Sequence, residues 1–231
     1  MKIYFNIIFL AFLLFSCKKD KVEIAETNYG YNYFPLEAGI VNYYKITEID
    51  IDKPLNKYDT VYYYLKTETD TPHYDLDNKL VTPINRYVRN NTNENWIIKD
   101  VWFAYRTDQH LVISEENVHY LKMIFPVRSD SKWNGNVYNT LSSQEYRVKS
   151  VDEAYNLNNI SYDSALTVIE QSDSSLIHKY YKYESYVRGI GLIKLNNVQI
   201  SSADNFTVYP VLPLEQRISK GTIYRQERIN Q

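Results

Sequence analysis

From Ile40 onward, apolar and polar residues alternate with a period of two, and almost no stretch repeats apolar residues at i, i+3, i+4 and i+7 over three turns. Val41, Tyr43 and Lys45 fall on one side of an extended chain, and Ile40, Asn42, Tyr44 and Ile46 on the other. Residues 40–50 therefore read as a first strand, with Pro35 and Gly39 bracketing the turn before it. Segments rich in β-branched and aromatic residues predict further strands at 58–67, 84–89, 96–105, 110–114, 118–125, 144–151, 161–170, 176–184, 186–195, 198–202, 206–211 and 217–225. Asp77-Asn78, Asn90-Asn91-Thr92-Asn93, Thr107-Asp108-Gln109 and Glu115-Glu116-Asn117 punctuate them as turns. Gly189 and Gly191 flank Ile190 inside the segment 186–195, which reads as a bulge or a sharp bend. The pattern predicts a mainly β chain with little helix. Its expected form is a single antiparallel, strongly curved sheet of about ten to thirteen strands, closed as a sandwich or an open barrel.

The N-terminal segment departs from this pattern. Lys2 precedes an almost wholly apolar run over residues 3–15, the length of a secretory signal core and too short to span a bilayer. Leu14-Phe15-Ser16-Cys17 resembles the bacterial lipobox, whose cysteine receives a diacylglycerol thioether and becomes the first residue after cleavage. The expected organisation is a signal peptide over 1–16, a lipid-anchored tether over 17–28 and a single β-rich domain over 29–231. The tether is polar, and fully extended it reaches about 35–40 Å. Lys18 after the cysteine resembles an outer-membrane sorting signal. The expected location is thus the cell envelope, lipid-anchored through Cys17 at the outer membrane and facing the periplasm or the surface.

Several motifs carry a wider resemblance. The opening YFPLEAGIVNYYKITEID at 33–50 is similar to the start of a family of uncharacterised Bacteroidota lipoproteins. KDVWFAYRT at 99–107, IFPV at 124–127, WNGNVYNT at 133–140, DSALTV at 163–168 and YVRGIGLIKL at 186–195 follow in the order that family shows. Two positions depart from it: Ile40 and Asn42 stand near a step usually held by an aromatic, and Leu195 stands where a Glu is expected. The resemblance implies an envelope lipoprotein and brings no activity, cofactor or site residue with it.

Charge and composition narrow the chemistry. Lys and Arg total 26 against 28 Asp and Glu, a formal net charge of −2, which offers no electrostatic footprint for nucleic acid and no polybasic membrane patch. Alternation also splits the cations of the run 178–186, with Lys179, Tyr181 and Tyr183 on one face and Tyr180 and Lys182 on the other. Cys17 is the only cysteine, so once it is lipidated, disulfides, Cys-ligated zinc, iron–sulfur clusters and a thiolate nucleophile are excluded. Tyr occurs 24 times and Gly only 6, which suits either a pleated surface with packed rings and wet hydroxyls or a ring-lined platform for sugars or peptides.

Catalytic signatures are lacking. There is no Gly-x-Ser-x-Gly elbow, and Gly189-Ile190-Gly191 opens no helix that would cradle a phosphate. His110 and His119 with Glu115 or Glu116 form the one arrangement resembling a metal triad, but turn-flanking polar residues account for them, so neither a metal nor another cofactor is expected. Asp100 beside Trp102, and Asp152-Glu153, are the acid pairs to inspect for glycan hydrolysis, which needs two carboxylates several Å apart in a cleft. Asp59-Thr60-Val61 and Asp163-Ser164-Ala165 resemble the O-glycosylation triplet of exported Bacteroidota proteins, which would modify Thr60 and Ser164. If the curved sheet encloses a cavity, rings from 96–105 and 186–195 should line it, and Trp96, Trp102, Tyr105 and Tyr186 are the expected ligand contacts. The functional expectation is a non-catalytic binding or assembly module holding a lipid, glycan or protein. The alternative is a lipid-anchored glycan hydrolase using paired carboxylates. Cells fed an alkynyl fatty acid should label the wild-type protein and leave Cys17→Ala unlabelled; label on the variant would remove the anchor.

Overall fold

The computed structural model describes residues 29–203 and 212–230. The expected signal peptide, Cys17, the tether and the strand predicted at 206–211 lie outside the described residues. Thirteen strands run through them: β1 (Val41–Asp52), β2 (Lys57–Thr69), β3 (His73–Tyr74), β4 (Leu80–Arg89), β5 (Ile97–Arg106), β6 (His110–Glu115), β7 (Val118–Ile124), β8 (Lys132–Asn134), β9 (Glu145–Leu157), β10 (Ile160–Ser174), β11 (His178–Val187), β12 (Gly191–Ser201) and β13 (Lys220–Ile229). The described residues contain no α-helix, and only single 3-10 turns interrupt the strands, at Tyr31–Tyr33, Lys53–Leu55 and Leu214–Gln216.

All neighbours pair antiparallel in the order β7-β6-β5-β4-β2-β1-β13-β12-β11-β10-β9-β8, with β3 beside β4. The first and last of these strands therefore meet at the middle of the sheet, where β1 pairs with β13 from Tyr43↔Ile229 to Asp52↔Lys220. The two edges of the sheet meet as well. The Leu121 amide of β7 donates to the Gly135 carbonyl just past β8 at 2.9 Å, and Trp133 Nε1 donates to the Leu121 carbonyl at 2.7 Å. These bonds clasp the sheet into a nearly closed barrel, the open-barrel form of the expected curved sheet.

Alternation sorts side chains as the sequence indicates. On β1, Asn42, Tyr44 and Ile46 point inward and are buried, while Tyr43, Lys45 and Thr47 are not. The main core fills one half of the barrel with Ile84, Ala104, Leu111, Ile113, Met123, Phe125, Tyr146, Leu166, Val168 and Tyr186, and a smaller cluster of Tyr44, Ile46 and Leu65 fills the other. A third cluster, Leu157, Tyr162, Ala165, Val187 and Ile193, packs the β9–β10 hairpin against Val187 of β11 and Ile193 of β12, which alternate with Tyr186 and Leu192 of the main core. Asn158 at its tip reaches the Arg228 carbonyl on β13 at 3.3 Å.

Residues 29–40 close one end of the barrel. Tyr33 is fully buried in the main core, Phe34 meets Tyr186 edge-on at 6.1 Å, and the Val127 amide bonds the Tyr29 carbonyl at 3.0 Å. Farther along, Thr82 Oγ1 bonds the Leu36 carbonyl at 3.2 Å and the Gly39 amide bonds the Thr69 carbonyl at 2.8 Å. The segment is thus a plug tied to strands on both sides of the opening.

Three expectations need correction. The segment 186–195 is not one strand: β11 ends at Val187, residues 188–190 form a hairpin turn, and β12 begins at Gly191. Gly189, with φ +72°, takes the left-handed position of that turn instead of marking a bulge inside a strand. β9 runs past residue 151 to Leu157, because backbone pairing with β10 holds a polar stretch that has no apolar face to reveal it. The short β3 and β8 were not predicted at all.

Gly135 is where the clasp is most constrained, since a Cβ there would sit 2.4 Å from the ring of buried Tyr146. Gly135→Ala should therefore destabilise the protein by about 1–3 kcal/mol in urea melts, with faster hydrogen exchange at the Leu121 amide than at β1 amides.

Candidate functional site

A cavity of about 80 Å3 lies inside the barrel beneath the plug, between the two interior clusters. Phe34, Pro35, Ile84, Ile113, Tyr44, Tyr186, Leu192 and Leu195 give it a mainly apolar wall. The polar groups that converge on it include Asn42 from β1, Arg86 from β4, Glu115 from β6, Lys122 from β7 and Glu184 from β11. Such a combination, apolar walls with a few fixed polar groups, is the usual make-up of a small-molecule site.

The charged groups form a layer across the barrel. Lys122 is buried and reaches Glu170 Oε1 and Glu184 Oε1 at 2.7 Å each, and Glu115 Oε1 at 3.1 Å. Lys182 pairs with Glu170 Oε2 at 2.6 Å, and the Tyr186 hydroxyl donates to Glu184 Oε2. Nearby, Arg86 Nη1 donates to both oxygens of Asp100 at 2.9 and 3.0 Å while its guanidinium lies 3.6 Å over the Trp102 ring. Lys122 enters the interior because the β6–β7 register shifts between Leu111 and Val112, which leaves Leu121, Lys122 and Met123 all buried.

Burial and charge divide the carboxyls of this layer. Burial alone would lower the Lys122 ammonium, but Glu115, Glu170 and Glu184 hold its pKa well above the usual value, so it stays charged. Glu170 would be raised by burial, yet Lys122 and Lys182 overcome this and hold it low. Glu184 goes the other way: burial and the adjacent Glu170 charge push it up to about 7, against the pull of the two lysines. One carboxyl of the layer therefore titrates near neutrality.

The four expected ligand contacts separate. Trp102 and Tyr186 both line the cavity, together with Leu192 and Leu195 from the predicted 186–195 segment. Trp96 and Tyr105 lie on the outside, Trp96 between Tyr43 and the Arg89 guanidinium, and Tyr105 beneath Lys79 at 5.6 Å. His110 and His119 sit at opposite ends of the β6–β7 hairpin, paired with Ile124 and Ser114, so the Glu116-Asn117 turn does not unite them, and Glu115 is committed to Lys122. Asp100 is held by Arg86. Asp152 accepts from Arg188 Nε and Nη2 at 2.8 Å and from the Tyr33 hydroxyl at 2.7 Å. Hydrogen bonding from Arg188 keeps it well below the usual carboxylate range despite partial burial. Ser164 donates its hydroxyl to the same Asp152, whereas Thr60 is exposed on β2.

Arg86, Lys122, Glu170, Lys182 and Glu184 were missed at the sequence level, although a signal existed. Arg86, Glu170, Lys182 and Glu184 occupy strand positions of core parity, where a charge marks an interior polar cluster, whereas Lys122 is turned inward by the β6–β7 register shift and carries no such mark.

No family model matches the chain, and no curated protein matches it either. One solved structure that resembles it is a Bacteroides fragilis protein described as having a YmcC-like fold, at 12% identity and a TM-score of 0.39, covering 86% of this chain and 98% of that one. A likeness at that level says nothing of this chain's chemistry.

Removing Lys122 strands three carboxyls, two of them fully buried, so Lys122→Met should destabilise the fold by about 3–5 kcal/mol in denaturant melts. Glu184 binds its proton more tightly folded than unfolded. Its contribution is full below the ordinary Glu pKa and is lost as pH rises toward about 7. Asp152 acts oppositely, its contribution being lost on acidification below the ordinary Asp range. Melts between pH 3 and 8 should show that Glu184→Gln flattens the neutral limb and leaves the acid limb in place.

Proposed function

We propose that the protein is a lipid-anchored, extracytoplasmic binding module that takes a small ligand into its barrel and does not transform it. The observation that carries this reading is the interior cavity, with its apolar wall and buried charged floor built from strands on both sides of the barrel. The lipobox-like segment ending at Cys17 and the polar stretch after it support placement at a membrane surface. The hydrolase alternative finds less support, because Asp100 and Asp152 are each held by an arginine and neither is free to reach a glycosidic bond.

The test is to purify the protein from its native cells and identify by native mass spectrometry any small molecule that co-elutes. Retention by wild type, weaker retention by Trp102→Ala and loss in the cavity-filling Leu195→Phe, with melts showing both variants folded, supports the reading. Turnover of a glycan or ester panel that disappears in one Asp or Glu variant would replace it with the hydrolase.

A further inference from the structure

The Arg86 side chain is only 5% exposed and is part of the cavity wall, yet it hydrogen-bonds through Nη1 alone, to Asp100. Its Nε and Nη2 groups have no hydrogen-bond partner among the described residues. A buried guanidinium with two donors unused is an arrangement that a ligand acceptor completes, and the planar fork matches the two oxygens of a carboxylate. The Trp102 ring at 3.6 Å fixes the plane of the fork, so its orientation is set before any ligand arrives. Around it the wall is apolar, with Phe34, Ile84, Ile113 and Leu192 among the side chains facing the space.

We infer that the cavity binds a small monocarboxylate, with the carboxylate on Arg86 and a short apolar chain against Ile84, Ile113 and Leu192. This rests on the cavity-binding reading above and names its ligand class. Size follows from volume: a water needs about 10–15 Å3 of such space, so about 80 Å3 admits a ligand of roughly six non-hydrogen atoms.

An anion entering this layer needs compensation, since Asp100 and Glu115 are already negative there. Glu184 can supply it by holding a proton. The groups facing Glu184 are Lys122 from β7, Lys182 and Tyr186 from its own strand, Glu170 from β10 and Glu115 from β6. With Glu184 protonated, the cations Arg86, Lys122 and Lys182 stand against the anions Asp100, Glu115 and Glu170, and a ligand carboxylate meets no net negative field. Binding is therefore tighter below neutral pH and takes up a proton.

Butyrate, butyramide and n-butylamine share a four-carbon chain and differ in head group, so they test the inference directly. The protein, purified as its host cells process it, is titrated with each by NMR and by calorimetry at pH 5.5 and pH 8. The expected result is butyrate bound at least tenfold more tightly than the other two, more tightly at pH 5.5, and with proton uptake. Arg86→Gln should abolish that preference. Because that variant also loses the Asp100 pair, Asp100→Asn provides a control of opposite sign: it keeps Arg86, removes the competing carboxylate and should tighten butyrate several-fold. Equal or better binding of butyramide or butylamine overturns the monocarboxylate assignment and leaves the cavity reading standing. If none of the three binds, or if butyrate binding survives Leu195→Phe unchanged, both fall.

Discussion

Lys122 sets the terms for the interior. An ammonium taken out of water loses several kcal/mol of solvation, and only close carboxylates and hydrogen bonds restore it. Here the partners come from β6, β10 and β11, so the charge placed by β7 is answered from its neighbour in the sheet and from two strands that lie beyond the clasp. The barrel can satisfy Lys122 only when those strands stand at the right distance and register. A buried ion pair adds little net stability compared with apolar packing, but its partners are not interchangeable with other positions, as apolar contacts often are. The layer thereby ties β6, β7, β10 and β11 to one mutual arrangement in the closed sheet.

Closure itself falls on the motif segments noted in the sequence. WNGN provides the clasp, with Trp133 and Gly135 bonded to β7; YFPLEAG provides the plug; and GIGLI provides the β11–β12 turn, whose Gly189 amide bonds the Asn32 carbonyl at 2.7 Å. Asn42 joins these parts by bonding the Ile190 carbonyl and accepting from Arg228 at 2.9 Å each. These residues bind edges and ends together. The plug and the GIGLI turn also bring Phe34, Pro35 and Leu192 to the cavity wall, so the segments that close the barrel also shape its interior.

Legibility followed the range of the interactions involved. β1, β2 and β5 through β7 were readable because each strand carries its own apolar alternation, and the β6–β7 turn announced itself through Glu116-Asn117. The extension of β9 and the short β3 and β8 were not, since cross-strand hydrogen bonding holds them and no local pattern marks it. The cavity was half legible. Trp102 and Tyr186 were expected there as rings, whereas Trp96 and Tyr105 were grouped with them by proximity in sequence although strand parity and loop position put them outside. The charged floor was overlooked because its members are far apart in sequence, Lys122 and Glu184 being 62 residues apart, and only the β6–β7 register shift turns Lys122 inward.

How the interior acids are held bears on the choice between a binding and a catalytic interior. Glycoside cleavage by paired carboxylates needs one acid kept protonated beside the scissile bond and a second kept ionised within several Å, both free to reach substrate. Among the acids of the layer only Glu184 is pushed toward a neutral pKa, and its two oxygens already engage Lys122 and the Tyr186 hydroxyl. Glu170 is clamped between two lysines, and Asp100 is held by Arg86 Nη1. Arg86 is the contrary case, a strong donor held rigidly over an aromatic ring with hydrogen-bonding capacity to spare. The acids of the layer are thus each engaged by a cation or a hydroxyl, whereas Arg86, bonded to Asp100 through Nη1, keeps Nε and Nη2 without a hydrogen-bond partner among the described residues.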